Sequence, residues 1–368
     1  MKNSLRIAGA YLGLVVGAGF ATGQEVIQYF TSLGIWGMIL NLVIAFVLLP
    51  FFAYQIIKLG QKLHVTSHKE AVYHICGKYL GIVADILLIF FMFGFGVVMI
   101  AGSGSLFLQQ YGISPAVGGL LLMIFVILTL FLNTQKIISV ISIVSPYMVT
   151  LIFIIMSYSM ITASDITIAE QDSIALSQPS ATSHWLWSAL NYVSLVVAIG
   201  FPIIAVIGTT EKNKKAARTG AIIGGIVFAF LITLMSFALY INIDTLQNTD
   251  IPTLMMAAKI SPIIGFLASI GILLMIFNTA VPMFYSFTAR FIQVGTLKYR
   301  IAVVVICFIA YVFGFVGFTD LVNKIFPLIG YLGLILLGAI IVNMFRLRIQ
   351  ESRLQADMLY EEEKENIK

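Results

Sequence analysis

The sequence predicts an all-α integral membrane protein of ten transmembrane helices in two inverted five-helix halves, and three observations predict it. Hydrophobic residues make up 60% of the 368-residue chain and charged residues only 10%, with a mean hydropathy of +1.03; soluble domains carry about a quarter charged residues. The apolar residues fall into ten runs, each near the roughly 20 residues a helix needs to cross the hydrocarbon layer. A short phrase, Val15-Val16-Gly17-Ala18-Gly19-Phe20, returns as Val196-Val197-Ala198-Ile199-Gly200-Phe201 about half the chain later.

The runs extend from Leu5 to Phe30, Ile35 to Leu59, Tyr79 to Leu108, Ala116 to Leu132, Ile137 to Ile161, Trp185 to Ile207, Thr219 to Tyr240, Ile263 to Ile292, Ile301 to Phe318 and Ile325 to Phe345. They are continuous, unlike the alternating strands of about ten residues in a membrane β-barrel. A helix also satisfies its own backbone groups where water is excluded. The first run is too long and Gly-rich for the core of a cleavable leader and passes directly into the second, so it is expected to stay. Cys76, in a connection, and Cys307, within a run, suggest neither a disulfide nor a metal framework.

The net charge of +5 and isoelectric point near 9.1 would suggest nucleic acid in a soluble protein. Here the distribution of charge points to membrane lipid instead, with no nucleic-acid partner. Placing both termini in the cytoplasm leaves only Lys259 and Lys324 of the 21 lysines and arginines outside, as the positive-inside rule requires. Asp165, Glu170, Asp172, Asp244 and Asp250 then lie in outer connections. The expectation is a multi-pass protein of a bacterial inner membrane. Its layout is a first repeat over 1–162, an outer loop over 163–184, a second repeat over 185–348 and a solvated cytoplasmic tail over 349–368.

Five helices separate the two copies of the phrase, so the second copy crosses in the opposite direction. Transporters built from inverted repeats bind substrate near the midplane, where matching helices are broken. Glycine permits such a break, and Pro202 removes an amide donor. Half-helix amino ends carry partial positive charge suited to a substrate carboxylate. The alternative is that small residues such as Gly9, Gly13 and Gly17 only let helices pack closely; their coincidence in both halves favours the transport reading.

The stretch Val16-Gly17-Ala18-Gly19-Phe20-Ala21-Thr22-Gly23-Gln24-Glu25 resembles the first helix of the YkvI-like family of bacterial membrane proteins. That family looks like a branch of the amino acid, polyamine and organocation transporter superfamily. The likeness covers essentially the whole chain in span number and layout, but only this motif is specific. It implies a LeuT-type five-plus-five fold in which helices one and six are unwound at the site and helices three and eight complete it. It implies substrate contacts from Gly17, Ala18 and Gly19, with Phe20 adjoining, and from Val197, Ala198, Ile199 and Gly200, with Phe201 as a candidate lid. A sodium site carried over from the sodium-coupled relatives falls on Gly13 and Val16 with Asn278 and Thr279, and Asn278 departs from the usual hydroxyl. Some relatives use a lysine of the fifth helix instead. Lys136 sits too shallow for that, which favours sodium. No other cofactor is expected.

Glu25 is an ionisable group at membrane depth and therefore a functional candidate. It could carry a proton, close an outer gate by hydrogen bonding, or reach interfacial water, and Gln24 beside it would support any of these. Asn278-Thr279 ahead of Pro282 offers oxygens to a hard cation or, alternatively, bonds within the helix bundle. Phe93-Gly94-Phe95-Gly96 and Gly102 to Ser105 could line a pocket or simply pack. His64, His68 and His74 read as a solvated connection. No triad, phosphate loop or paired acid of an enzyme is present. The residues thus point to an ion- or proton-coupled secondary transporter of a small-molecule substrate, a zwitterion such as an amino acid. The alternative is an amino-acid-sensing receptor resembling the spore germinant-receptor subunits, which would need partner proteins; a passive channel lacks a recurring charged ring.

Overall fold

A computed structural model of the chain describes residues 2–63, 68–132, 144–162, 166–247 and 249–366, which form helices and turns without a strand. Lys136, His64 and residues 163–165 of the expected outer loop lie outside the described residues. The first apolar run is broken into three pieces, α1 (Lys2–Val15), α2 (Ala18–Thr22) and α3 (Gln24–Tyr29). The chain continues through α4 (Gly34–Leu63), α5 (His68–Tyr111), α6 (Pro115–Leu130) and α7 (Val144–Ile161). A short connecting helix, α8 (Ile168–Ser177), starts at a capping box: the Glu170 amide donates to Thr167 Oγ1 and the Thr167 amide to the Glu170 carboxylate, two orphan donors satisfied at once. Then follow α9 (Trp185–Thr210), α10 (Lys214–Tyr240), α11 (Pro252–Ile260), α12 (Pro262–Ala289), α13 (Leu297–Phe313) and α14 (Phe318–Asn366).

Every one of the ten expected runs carries helix, the fifth described only from Val144 onward. By length and composition, however, six stretches among the described residues can cross a membrane: Gln24–Leu63, Val72–Tyr111, Lys214–Tyr240, Pro262–Ala289, Leu297–Val316 and Phe318–Arg346. A seventh is α9, whose parts Trp185–Phe201 and Ile204–Thr210 are inclined by 46°. The count falls short of ten for local reasons. The pieces of the first run are too short to span alone, and α6 and the apolar part of α7 are helices of under 18 residues.

Packing separates the helices into two groups. In one, α1 packs on α10, and α10 and α9 pack on α4; in the other, α5 packs on α12 and α6, and α13 on both α5 and α6. The helix α14 touches α9 and α5, and α7 touches α10 and α12, so each bridges the groups. Close approach within the first group depends on small residues: a Cβ at Gly60 or Gly208 would meet the backbone of the facing helix at Ala205 or Ile57. Without a hydrophobic drive between helices in lipid, such contact is what holds them.

Candidate functional site

The helix breaks where the opening motif is densest in glycine. The Val16 amide still bonds the Leu12 carbonyl, but the Gly17 amide turns to the Val15 carbonyl at 2.9 Å, and the Ala18 amide donates to Thr279 Oγ1 of α12 at 3.4 Å. Gly17 itself is extended, with φ −92° and ψ −176°, which any residue can adopt. Gly23 is different: at φ +84° it occupies the left-handed region that favours glycine. It ends α2 and starts α3, turning Glu25 back toward the break.

Between the helix groups, beside this break, lies a cavity of about 320 Å³. The first helix contributes Gly13 to Gly19 and Glu25, α5 contributes Leu88, Met92, Phe95 and Met99, α9 contributes Leu195, Val196 and Ile199, and α12 contributes Asn278, Thr279, Pro282, Met283 and Ser286. At one end Gly19, Glu25, Phe95 and Met99 are buried; at the other Gly13, Leu14, Leu88, Met283 and Ser286 are half-buried. The cavity is therefore closed past Glu25 and opens toward the start of α1.

The closed end is held by polar contacts. The Asp250 carboxylate accepts from Ser105 and Thr319, both at 2.7 Å. Gln109 and the Ile251 backbone exchange two hydrogen bonds. These seat α11 against Gly23, where a Cβ would lie 2.9 Å from Thr253 Oγ1. Below, Tyr29 donates to Asn191 Oδ1 at 2.8 Å, and Asn191 donates to the Pro327 carbonyl at 3.0 Å. Toward the open end, Arg290 just past α12 pairs with Asp85 of α5 and Arg6 of α1 with Glu211 just past α9.

Gly13, Val16, Gly17, Ala18, Gly19, Glu25, Ile199, Asn278 and Thr279 all line the cavity. Val197, Ala198 and Gly200 are buried in α9 and do not line it. Phe20 packs on Phe228 with ring centres 5.4 Å apart, Phe201 is fully buried, and Gln24 is buried beside the break; none of the three faces the cavity. The sixth run bends where the second break is expected: Trp185–Phe201 and Ile204–Thr210 are inclined by 46° on either side of 202–203, although the chain keeps helical hydrogen bonding through Gly200 rather than unwinding. Glu25 does not reach interfacial water, being 8% exposed and turned inward by Gly23. Ser103 donates to the Gly118 carbonyl, whereas Gly104 and Ser105 line a second cavity, of about 340 Å³, together with Asp250.

Thr279 accepts from another helix instead of bonding back to its own. The Asn278 side-chain oxygen is buried without a hydrogen-bond partner, and Pro282 has no amide to offer the Asn278 carbonyl one turn earlier. Leu88, Met92, Met99, Leu195 and Met283 escaped sequence reasoning, because an apolar residue facing a cavity and one facing lipid look alike in a continuous run; the lone hydroxyl of Ser286 was missed as well.

No protein-family model matches the chain. It is 24% identical over 350 residues to the membrane protein YkvI of Bacillus subtilis, covering 92% of this chain and 95% of the relative. It is 27% identical over 335 residues to YyaD of the same organism, covering 90% and 94%. Among solved structures, a manganese transporter of Eremococcus coleocola is similar with a TM-score of 0.58 at 14% identity, covering 88% of this chain and 75% of that one. The inward-facing conformation of Mhp1 gives 0.52 at 15% identity, covering 84% and 69%. Identities this low carry the fold alone. The chain is thus a relative of the membrane protein YkvI, as its opening motif implied, and of YyaD, with the all-helical LeuT-type fold of the manganese transporter and Mhp1.

Proposed function

We propose that the protein is a secondary active transporter, not an enzyme, that moves a small zwitterion, an amino acid, by cation-coupled alternating access. The observation that carries this reading is the cavity at the break of the first helix, between two separately packed helix groups, closed at one end and open at the other. With ten crossings in two inverted halves, over 1–162 and 185–348, and both termini in the cytoplasm of an inner membrane, the open end faces inward. Substrate contacts then come from Gly17, Ala18 and Gly19 and, across the cavity, Ile199. The group of α1, α4, α9 and α10 rocks against α5, α6, α12 and α13, releasing the Asp250 contacts as the outer end opens.

The driving cation binds at Gly13, Val16, Asn278 and Thr279. The unpartnered Asn278 oxygen and the proline-freed carbonyl of the same residue are the oxygens a sodium ion takes. Protonation of Glu25 is the rival coupling. Proteoliposomes given sodium and pH gradients separately decide: accumulation of labelled amino acid driven by sodium alone supports the sodium site, and accumulation driven only by a pH gradient transfers coupling to Glu25. Absence of flux across a broad amino-acid panel, with ligand still bound and a stoichiometric partner co-purifying, replaces the transporter with the receptor reading.

A further inference from the structure

We infer that Glu25 is the counter-ion for the substrate's ammonium group, and that the cavity selects amino acids with a single positive charge and a large apolar side chain. The inference rests on the transport reading and specifies its substrate.

Among the described residues Glu25 is the one ionisable group lining the cavity, and no lysine, arginine or histidine lines it. The ion pairs of Arg6 with Glu211 and of Arg290 with Asp85 leave Glu25 out. A carboxylate this deep is costly without a positive partner, and none of the described wall residues supplies one. Its surroundings suit an ammonium group. The carboxylate lies against the Gly19 backbone, where a Cβ would collide with it and with the Phe326 ring. Phe326 and Phe95 stand 5.1 Å apart at this end, and aromatic faces attract a cation. The buried Tyr192 hydroxyl also faces Glu25.

The remaining wall determines the rest of the ligand. Leu88, Met92, Met99, Leu195, Val196 and Met283 present aliphatic and thioether surface, and methionine adapts to irregular shapes. A volume of about 320 Å³ equals roughly ten waters at about 30 Å³ each, enough for the side chains of leucine, methionine or phenylalanine. A glutamate would bring a second negative charge to a cavity that holds only one of its own, also negative. A lysine would bring a second positive charge for which the wall has no partner. Charge balance makes the amine indispensable and the carboxylate less so: a simple amine neutralises Glu25 alone, whereas a zwitterion needs the co-bound cation.

Purified full-length protein tests this by equilibrium binding at fixed pH and sodium concentration, with flux measured in parallel. Phenylalanine and leucine should bind, phenethylamine should bind with or without sodium, and N-acetylphenylalanine, glutamate and lysine should bind at least ~30-fold more weakly. Glu25→Gln should weaken phenethylamine at least ~30-fold and Glu25→Asp by less. The N-acetyl comparison uses the unaltered protein, so a misfolded variant cannot spoil the test. Equal binding of phenylalanine and N-acetylphenylalanine, or of phenethylamine to wild type and a folded Glu25→Gln protein, overturns the ammonium assignment while flux of amino acids keeps the transport reading intact. Neither binding nor flux of any panel member by folded wild type overturns both.

Discussion

The two copies of the repeated phrase fold differently. Around Gly17 to Gly23 the first helix is interrupted twice, exchanges an amide with α12 and turns an acidic residue into the cavity. Around Val196 to Phe201 the sixth run stays helical and only bends beyond Phe201. Similar residues therefore do not dictate similar breaks. The first copy has a third glycine, Gly23, in a left-handed conformation, and a facing hydroxyl, Thr279, that takes the amide released at the break; the second has neither. The first copy thus provides the break and Glu25, and the second copy a smoother stretch of wall.

The largest expected effect probes Gly23. At Gly23→Val a β-branched side chain meets φ +84° and the Thr253 hydroxyl, so a loss of about 2–4 kcal/mol is expected from backbone strain and overpacking, read as a lowered Tm in detergent. Next is Gly19→Ala: the added methyl displaces the Glu25 carboxylate and Phe326, and a misplacement of about 1 Å can cost up to ~100-fold. Substrate affinity should fall at least ~10-fold, with a smaller loss of Tm than at Gly23→Val.

Thr279→Val keeps the shape of the side chain and removes the acceptor of the Ala18 amide. The lost hydrogen bond is worth about 1 kcal/mol, and under the sodium reading the half-saturating sodium concentration should rise about ten-fold. The smallest effect is expected at Gly200→Ala. There the new Cβ meets the flexible end of Ile204 at 2.8 Å, and helix propensity favours alanine by about 0.5–1 kcal/mol, so stability and flux should stay near wild type. If Gly200→Ala is as damaging as Gly19→Ala, the contrast between the two copies is wrong.

The residues of the opening motif were legible because several conspicuous features coincide there: glycines in an apolar run, a carboxylate at membrane depth and an echo in the other half. Asn278 and Thr279 were legible as a polar pair before a proline. The wall residues from α5, such as Leu88 and Met92, were not, since hydropathy cannot distinguish cavity from lipid. Asp250 looked like one acidic loop residue among several. Only the packing of α11 shows it taking Ser105 from α5 and Thr319 from α14 at once.

By itself the sequence determined that the chain lies in lipid, that it is helical and where its apolar runs fall, because hydrocarbon admits only long apolar segments whose backbone bonds close locally. The tertiary structure decided which runs stay whole, which way Glu25 turns and which residues share a cavity. A break needs an acceptor or donor on a neighbouring helix, and a cavity needs two packed groups that fail to meet; neither is written in the order of residues along one helix.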